Sequence, residues 1–181
     1  SDLYVVSWVG TDSAANGSDL SIYAQKFNAD GTKSGSAVKL EAAGITNGAD
    51  DREVVTSLGA DGSYAITWVG STSAGVQSAY TQRFDGTGAK VGGVITLYSN
   101  TTTTQSVRQL TVTSKGQPDG QYVFAWTNYD SSVGAVVKSG KVASDGSFTI
   151  ASSGTAPSSA TSPVIISDSG DYAYVNAGAT N

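Results

Sequence analysis

Apolar and polar residues alternate over most of this chain. In "LYVVSWVGTD" (3–12), Tyr4, Val6 and Trp8 occupy every second position, which on a β-strand places them on one face. The phrase returns as "SYAITWVGST" (63–72), then as "YVFAWTN" (122–128), and faintly as "YAYVNAG" (172–178). Trp8, Trp68 and Trp126 are 60 and 58 residues apart, so the chain carries an internal repeat of about 59 residues. Downstream of the tryptophans, "IYAQKFNADGTKSGSAVKL" (22–40) matches "AYTQRFDGTGAKVGGVITL" (79–97), and "VVKSGKVASDGSFTI" (136–150) is a degenerate third version. Another short apolar segment precedes each later copy: "EVVTSLGADG" (53–62), "RQLTVTSKGQPDG" (108–120) and "PVIISDSGD" (163–171).

Each unit therefore predicts about four antiparallel strands joined by hairpin turns such as "NADG", "DGTG" and "SDG". In "IYAQKF", Ile22, Ala24 and Lys26 should face one way and Tyr23, Gln25 and Phe27 the other. The Tyr-x-x-x-Trp stripes read as packed core. Repeat boundaries fall near 2–60, 61–118, 119–168 and a partial 169–181, and the chain is expected to be one all-β domain (1–181) cut from a longer protein. The expected architecture is a compact, pseudo-symmetric arrangement of several small sheets built from propeller-like units. A two-sheet β-sandwich is the alternative, and the fourth, partial copy is expected to close the fold by pairing with the first. The stretch "SSGTAPSSATSP" (152–163) predicts a surface loop.

Composition narrows the chemistry. The chain has 22 glycines, 3 prolines and only 14% charged residues, against about a quarter in an average domain. It contains no cysteine, methionine or histidine, which excludes disulfides, thiolate chemistry, histidine-ligated zinc and any triad that needs an imidazole base. The formal net charge is −5 and no Lys/Arg cluster occurs, so nucleic acid is an unsuitable partner. No apolar run is long enough for a transmembrane helix, and membrane insertion is not expected. Oxygen ligation of Ca²⁺ remains open to such a sequence.

The repeat sorts the acidic residues. Asp61, Asp119 and Asp171 recur before the Tyr-x-x-x-Trp strand, and Asp30, Asp85 and Asp145 recur in the second turn class, so these six are assigned to turns. Asp12, Asp19, Asp50, Asp51, Glu53 and Asp130 break the symmetry. Asp12 has Thr72 as its counterpart in the second copy. The oxygen-rich loop "GTDSAANGSD" (10–19) and the segment "TNGADDRE" (46–53) supply a candidate calcium set of Asn47, Asp50, Asp51, Glu53, Asp12 and Asp19. Asn16, Arg52, Tyr129 and Asp130 are candidates for contacting a ligand nearby. A solvated acidic loop, partly neutralised by Arg52, is the competing reading.

The ordered string of Trp, acidic loop, Tyr-x-Gln-[Lys/Arg]-Phe and turn glycine in residues 3–40 and 62–97, and weakly in 120–150, resembles repeats of large bacterial RTX-type adhesins. At this length the chain is most similar to their calcium-dependent peptide-binding domains. That resemblance implies an extracellular, cell-surface module, monomeric within a giant adhesin. It would bind peptide or protein C-termini on host or algal surfaces, with the terminal carboxylate reaching bound Ca²⁺. A calcium-dependent glycan-binding module and a structural spacer are alternatives. An enzyme is not expected, because beyond the carboxylates near Asp50 nothing suggests a catalytic pair.

Overall fold

The computed structural model describes residues 3–12, 19–41, 50–72, 74–114, 120–132, 134–155, 164–166 and 172–174. Among them there is no helix, and therefore none long and apolar enough to cross a membrane. The strands are β1 (Tyr4–Asp12), β2 (Asp19–Phe27), β3 (Lys33–Leu40), β4 (Asp51–Leu58), β5 (Tyr64–Ser71), β6 (Gln77–Phe84), β7 (Lys90–Ser99), β8 (Gln105–Thr113), β9 (Tyr122–Asp130), β10 (Gly134–Val142), β11 (Phe148–Thr155), β12 (Val164–Ile166) and β13 (Tyr172–Tyr174). They form antiparallel meanders: a first sheet β1-β2-β3, a second β4-β5-β6-β7, a third β8-β9-β10-β11, and the hairpin β12-β13. This is the expected multi-sheet all-β architecture, not the two-sheet alternative.

The sheets and the sequence repeat are out of phase. The segment "EVVTSLGADG", met in the sequence at the end of the first copy, pairs with β5 and so opens the second sheet. Likewise β8 opens the third. The first sheet consequently has three strands, and β1 is the counterpart of β5 and β9. Among the described residues the partial fourth copy does not pair with the first: β12 pairs with β13, with Val164 opposite Tyr174, and β12 packs against β8 and β9. As for the expected 152–163 loop, β11 extends through Thr155, and residues 156–163 lie outside those described.

Packing between sheets follows one rule. The aromatic stripe Tyr64, Ile66 and Trp68, with Phe84, is buried against Ile22, Ala24 and Leu40 of the first sheet. The stripe Tyr122, Phe124 and Trp126 is buried in turn against Ala65, Val69, Ala79 and Leu97 of the second. Small and aliphatic side chains on one sheet leave room for the rings of the next, which is how sheets interdigitate at native density.

The Tyr-x-Gln-[Lys/Arg]-Phe motif supplies the rest of each joint. Tyr64 stacks on Phe84 with ring centroids 4.6 Å apart, and Tyr4 stacks on Phe27 at 5.0 Å. The glutamine fills a β-bulge: Gln25 Nε2 donates to the carbonyls of Lys26 (2.8 Å) and Gly35 (3.2 Å), and Gln82 Nε2 to those of Arg83 (2.9 Å) and Gly92 (3.2 Å). The register shifts at the same two places, satisfying carbonyls that the ladder leaves open. In the third sheet Gly140 replaces the glutamine, and the Phe148 ring takes the space, 2.5 Å from where a Cβ would stand.

The cation reaches into the next sheet. Lys26 Nζ donates to the Gly86 carbonyl. Arg83 Nη1 donates to the carbonyls of Ala143 (2.9 Å), Ser144 (2.8 Å) and Gly120 (3.2 Å). Both cations are buried, so these charge-assisted bonds replace water at the joint.

Burial predicts unequal tryptophans. Trp68→Ala should destabilise the protein by about 3–5 kcal/mol in urea unfolding, as expected for a ring removed from a packed core. Trp8→Ala should cost about 1 kcal/mol or less, because Trp8 lies on an open face and its loss leaves no closed cavity. Equal losses would contradict this packing.

Candidate functional site

All joints share one orientation, so the molecule has two distinct ends. One carries the tight turns Asn28–Thr32, Gly59–Ser63, Asp85–Ala89 and Ala143–Ser147. The recurring aspartates are consumed there. Oδ1 of Asp30, Asp61, Asp85 and Asp145 accepts both the backbone N–H and the hydroxyl of the residue two positions on, at 2.6–2.9 Å. These hydroxyl and amide donors hold the carboxyls of Asp30, Asp85 and Asp145 below the usual carboxylate range. Gly31, Gly88 and Gly146 follow at one equivalent position, with φ of 84°, 93° and 90°, a conformation only glycine adopts freely. The turn assignment thus holds for these four; Asp119 and Asp171 lie outside the described residues.

The opposite end gathers the symmetry-breaking residues. Asp12 and Asp19 close the β1–β2 ladder directly opposite one another. The comparable ladders end with Ser71 opposite Gln77 and Asp130 opposite Gly134. Asp50 immediately precedes β4 and Asp51 begins it, at the same end.

Asp50 and Asp51 lie on opposite sides of the strand. Asp50 Oδ2 is paired with Arg52 Nη2 at 3.1 Å on the exposed side. Asp51 points the other way and is buried, with Oδ1 2.7 Å from where a Cβ on Gly70 would stand. Neighbours along an extended chain face opposite sides, so adjacency in the sequence does not make them joint ligands. In the third sheet Val107 holds the position of Asp51, opposite Asn128.

Glu53 has a counterpart after all. It sits at the β4 bulge with φ 52°, and Gln109 sits at the β8 bulge with φ 55°. Arg52 and Arg108 precede them in equivalent register. Glu53 is exposed as a residue, yet partial desolvation where its carboxyl meets β8 pushes that carboxyl up, against the pull of the Gln109 amide. Position 53 is therefore part of the shared scaffold, and the acid there is a variant of an amide.

Asp130 also has turn duties. Its Oδ1 accepts from Ser132 N (2.8 Å) and Ser132 Oγ (2.5 Å), and its Oδ2 accepts from Gln105 Nε2 (2.9 Å). The Arg108 guanidinium lies over the Tyr129 ring, 4.8 Å from its centroid. Asn16 and Asn47 lie outside the described residues. Among the described residues no three acidic groups come together as a metal cage.

A cleft of about 200 Å³ that was not anticipated from sequence lies at the turn end, between the second and third sheets. It is lined by Asp61, Ser63, Arg83, Asp85, Tyr122 and Ser144 among others. Tyr122 Oη bonds Ser63 Oγ at 3.0 Å, and the residue is buried. The signal was the cation of the Tyr-x-Gln-[Lys/Arg]-Phe motif, whose carbonyl partners lie about 60 residues further along the chain.

No family model, curated protein or solved structure matches this chain.

The tyrosines at the joints predict an alkaline limit. Burial pushes the hydroxyls of Tyr64 and Tyr122 up from the ordinary 10.0. Above pH 10 the unfolded chain loses protons that the folded chain keeps. Stability is therefore fully present below pH 10 and falls as the pH rises beyond it. In thermal melts from pH 8 to 11, Tyr64→Phe/Tyr122→Phe should show a shallower alkaline decline than the parent; identical slopes would contradict this.

Proposed function

We propose that this chain is an extracellular, calcium-dependent binding module of adhesin type that holds peptides by a free C-terminal carboxylate at the loop end of its sheets. The placement of Asp12 directly opposite Asp19 carries this reading. Like charges at directly opposed ladder positions destabilise a strand pair, and a divalent cation bound between them offsets the repulsion. The other two ladders carry no such acidic pair at this position.

The donors present fit the ion in kind: carboxylates, amides and carbonyls, with no soft ligand in the chain. Asp12, Asp19 and Asp50 are the residues that would hold it, with Asn47 from the adjoining segment. Bound there, Ca²⁺ supplies double positive charge and coordination positions that accept carboxylate oxygen. The chain's own net charge of −5 opposes an anionic ligand, so capture of a carboxylate needs a local cation. The resemblance of residues 3–40 and 62–97 to RTX-type adhesin repeats supports the same reading.

Isothermal titration after EDTA treatment tests it. Calcium should bind the parent chain, and Asp12→Asn/Asp19→Asn should weaken it by about tenfold or more. With calcium present, a peptide bearing a free C-terminus should bind and its C-terminal amide should not. Unchanged calcium affinity in the double variant would overturn the metal assignment. Equal binding of the two peptides, or binding of glycans instead, would overturn the ligand.

A further inference from the structure

We propose that the exposed face of the first sheet is a docking surface for one further sheet of this same repeat. This is independent of the calcium reading, which concerns the loop end. Tyr4, Val6 and Trp8 are 43%, 44% and 40% exposed, whereas their counterparts Tyr64, Ile66 and Trp68 are 3%, 0% and 0% exposed. In the third sheet Tyr122, Phe124 and Trp126 are equally buried. Three large apolar side chains in a row on one open face are unusual for a finished surface.

The face is already built as the covered ones are. Tyr4 stacks on Phe27 as Tyr64 does on Phe84, and Trp8 lies over Tyr23 (5.8 Å, stacked) where Trp68 meets Tyr80 at nearly the same distance (5.9 Å) but tilted by 35°. Gln25 fills its bulge with the same bonds as Gln82. The beginning of this sheet is open at its edge as well: among the described residues β1 pairs only with β2, whereas β5 and β9 each lie between two strands.

The molecule shows twice what covers such a stripe. It is the opposite face of a preceding sheet, presenting small and aliphatic residues, with a lysine or arginine reaching into the stripe's own turn. Gly86 and Ser144, which accept those cations, occupy the same turn position. In the first sheet Ala29 occupies it: Gly31 N bonds Asn28 O there just as Gly88 N bonds Asp85 O and Gly146 N bonds Ala143 O. The occupant is therefore a four-stranded meander of this repeat, its Tyr-x-Gln-[Lys/Arg]-Phe cation donating to the Ala29 carbonyl. A strand following that meander would pair with the free edge of β1.

A fusion tests this. Residues 51–121, which hold a complete second sheet and the strand that opens the third, are duplicated directly ahead of Tyr4 in the full chain. Hydroxyl-radical footprinting then reads Tyr4 and Trp8 against Trp68. In the parent chain Trp8 should label far faster than Trp68; in the fusion its labelling should fall to the Trp68 level. Arg83→Glu in the added copy should restore Trp8 labelling while circular dichroism still reports a folded sheet protein. A folded fusion with Trp8 labelled as in the parent would overturn the proposal. So would concentration-dependent protection of Trp8 in the unfused chain, which would assign the face to a second copy.

Discussion

The structure depends on one joint, used twice: the small-residue face of a sheet laid over the aromatic stripe of its successor. Neither partner could stay exposed at little cost. The stripes of the second and third sheets hold Trp68 and Trp126, each fully buried, and burying a large aromatic contributes more than any other single residue type. An individual three- or four-stranded meander cannot cover its own stripe, so the sheets are stable only in sequence, each supplying the lid of the next. The buried Lys26 and Arg83 are tolerated because their charges end on backbone carbonyls of the neighbouring turn. They also fix register, because a sliding sheet would strand a buried charge.

That joint partitions the molecule's chemistry. At the turn end every copy must present the same carbonyls to the preceding cation. Asp30 and Asp145 accordingly repeat at the third position of their turns, and Asp85 closes the equivalent turn from its first position. The loop end bears no such obligation, and there the copies diverge. Asp12 faces Asp19 in the first ladder, Ser71 faces Gln77 in the second, and Asp130 is absorbed into a turn in the third. Divergent loops on a repeated scaffold are where binding function concentrates.

Much of this was legible from periodicity. Alternation in "YVVSW" and "IYAQKF" fixed the strands and their faces, and recurrence of aspartate before glycine identified the turns. The phase between repeat and sheet was not legible, because which neighbour "EVVTSLGADG" pairs with is decided by long-range hydrogen bonding. Trp8 was assigned to core with its two counterparts. A strand shows which residues share a face, never whether something covers that face. Glu53 passed as a symmetry breaker because its counterpart is an amide, and its match to Gln109 shows only in the shared bulge and positive φ. Asp50 and Asp51 were paired as ligands by adjacency, which a strand turns into opposition. The motif cation was visible, but its carbonyl partner some 60 residues away was not.

Stability resides in the contact between successive sheets. A double-mutant cycle across the first joint, with Ile22→Ala on one side and Trp68→Phe on the other, tests it most directly by equilibrium urea unfolding. Residues sharing one packed interface should couple, so the double variant should depart from additivity by about 0.5–3 kcal/mol. Additive losses, within about 0.3–0.5 kcal/mol, would mean that the two sheets are stabilised independently and would contradict the account.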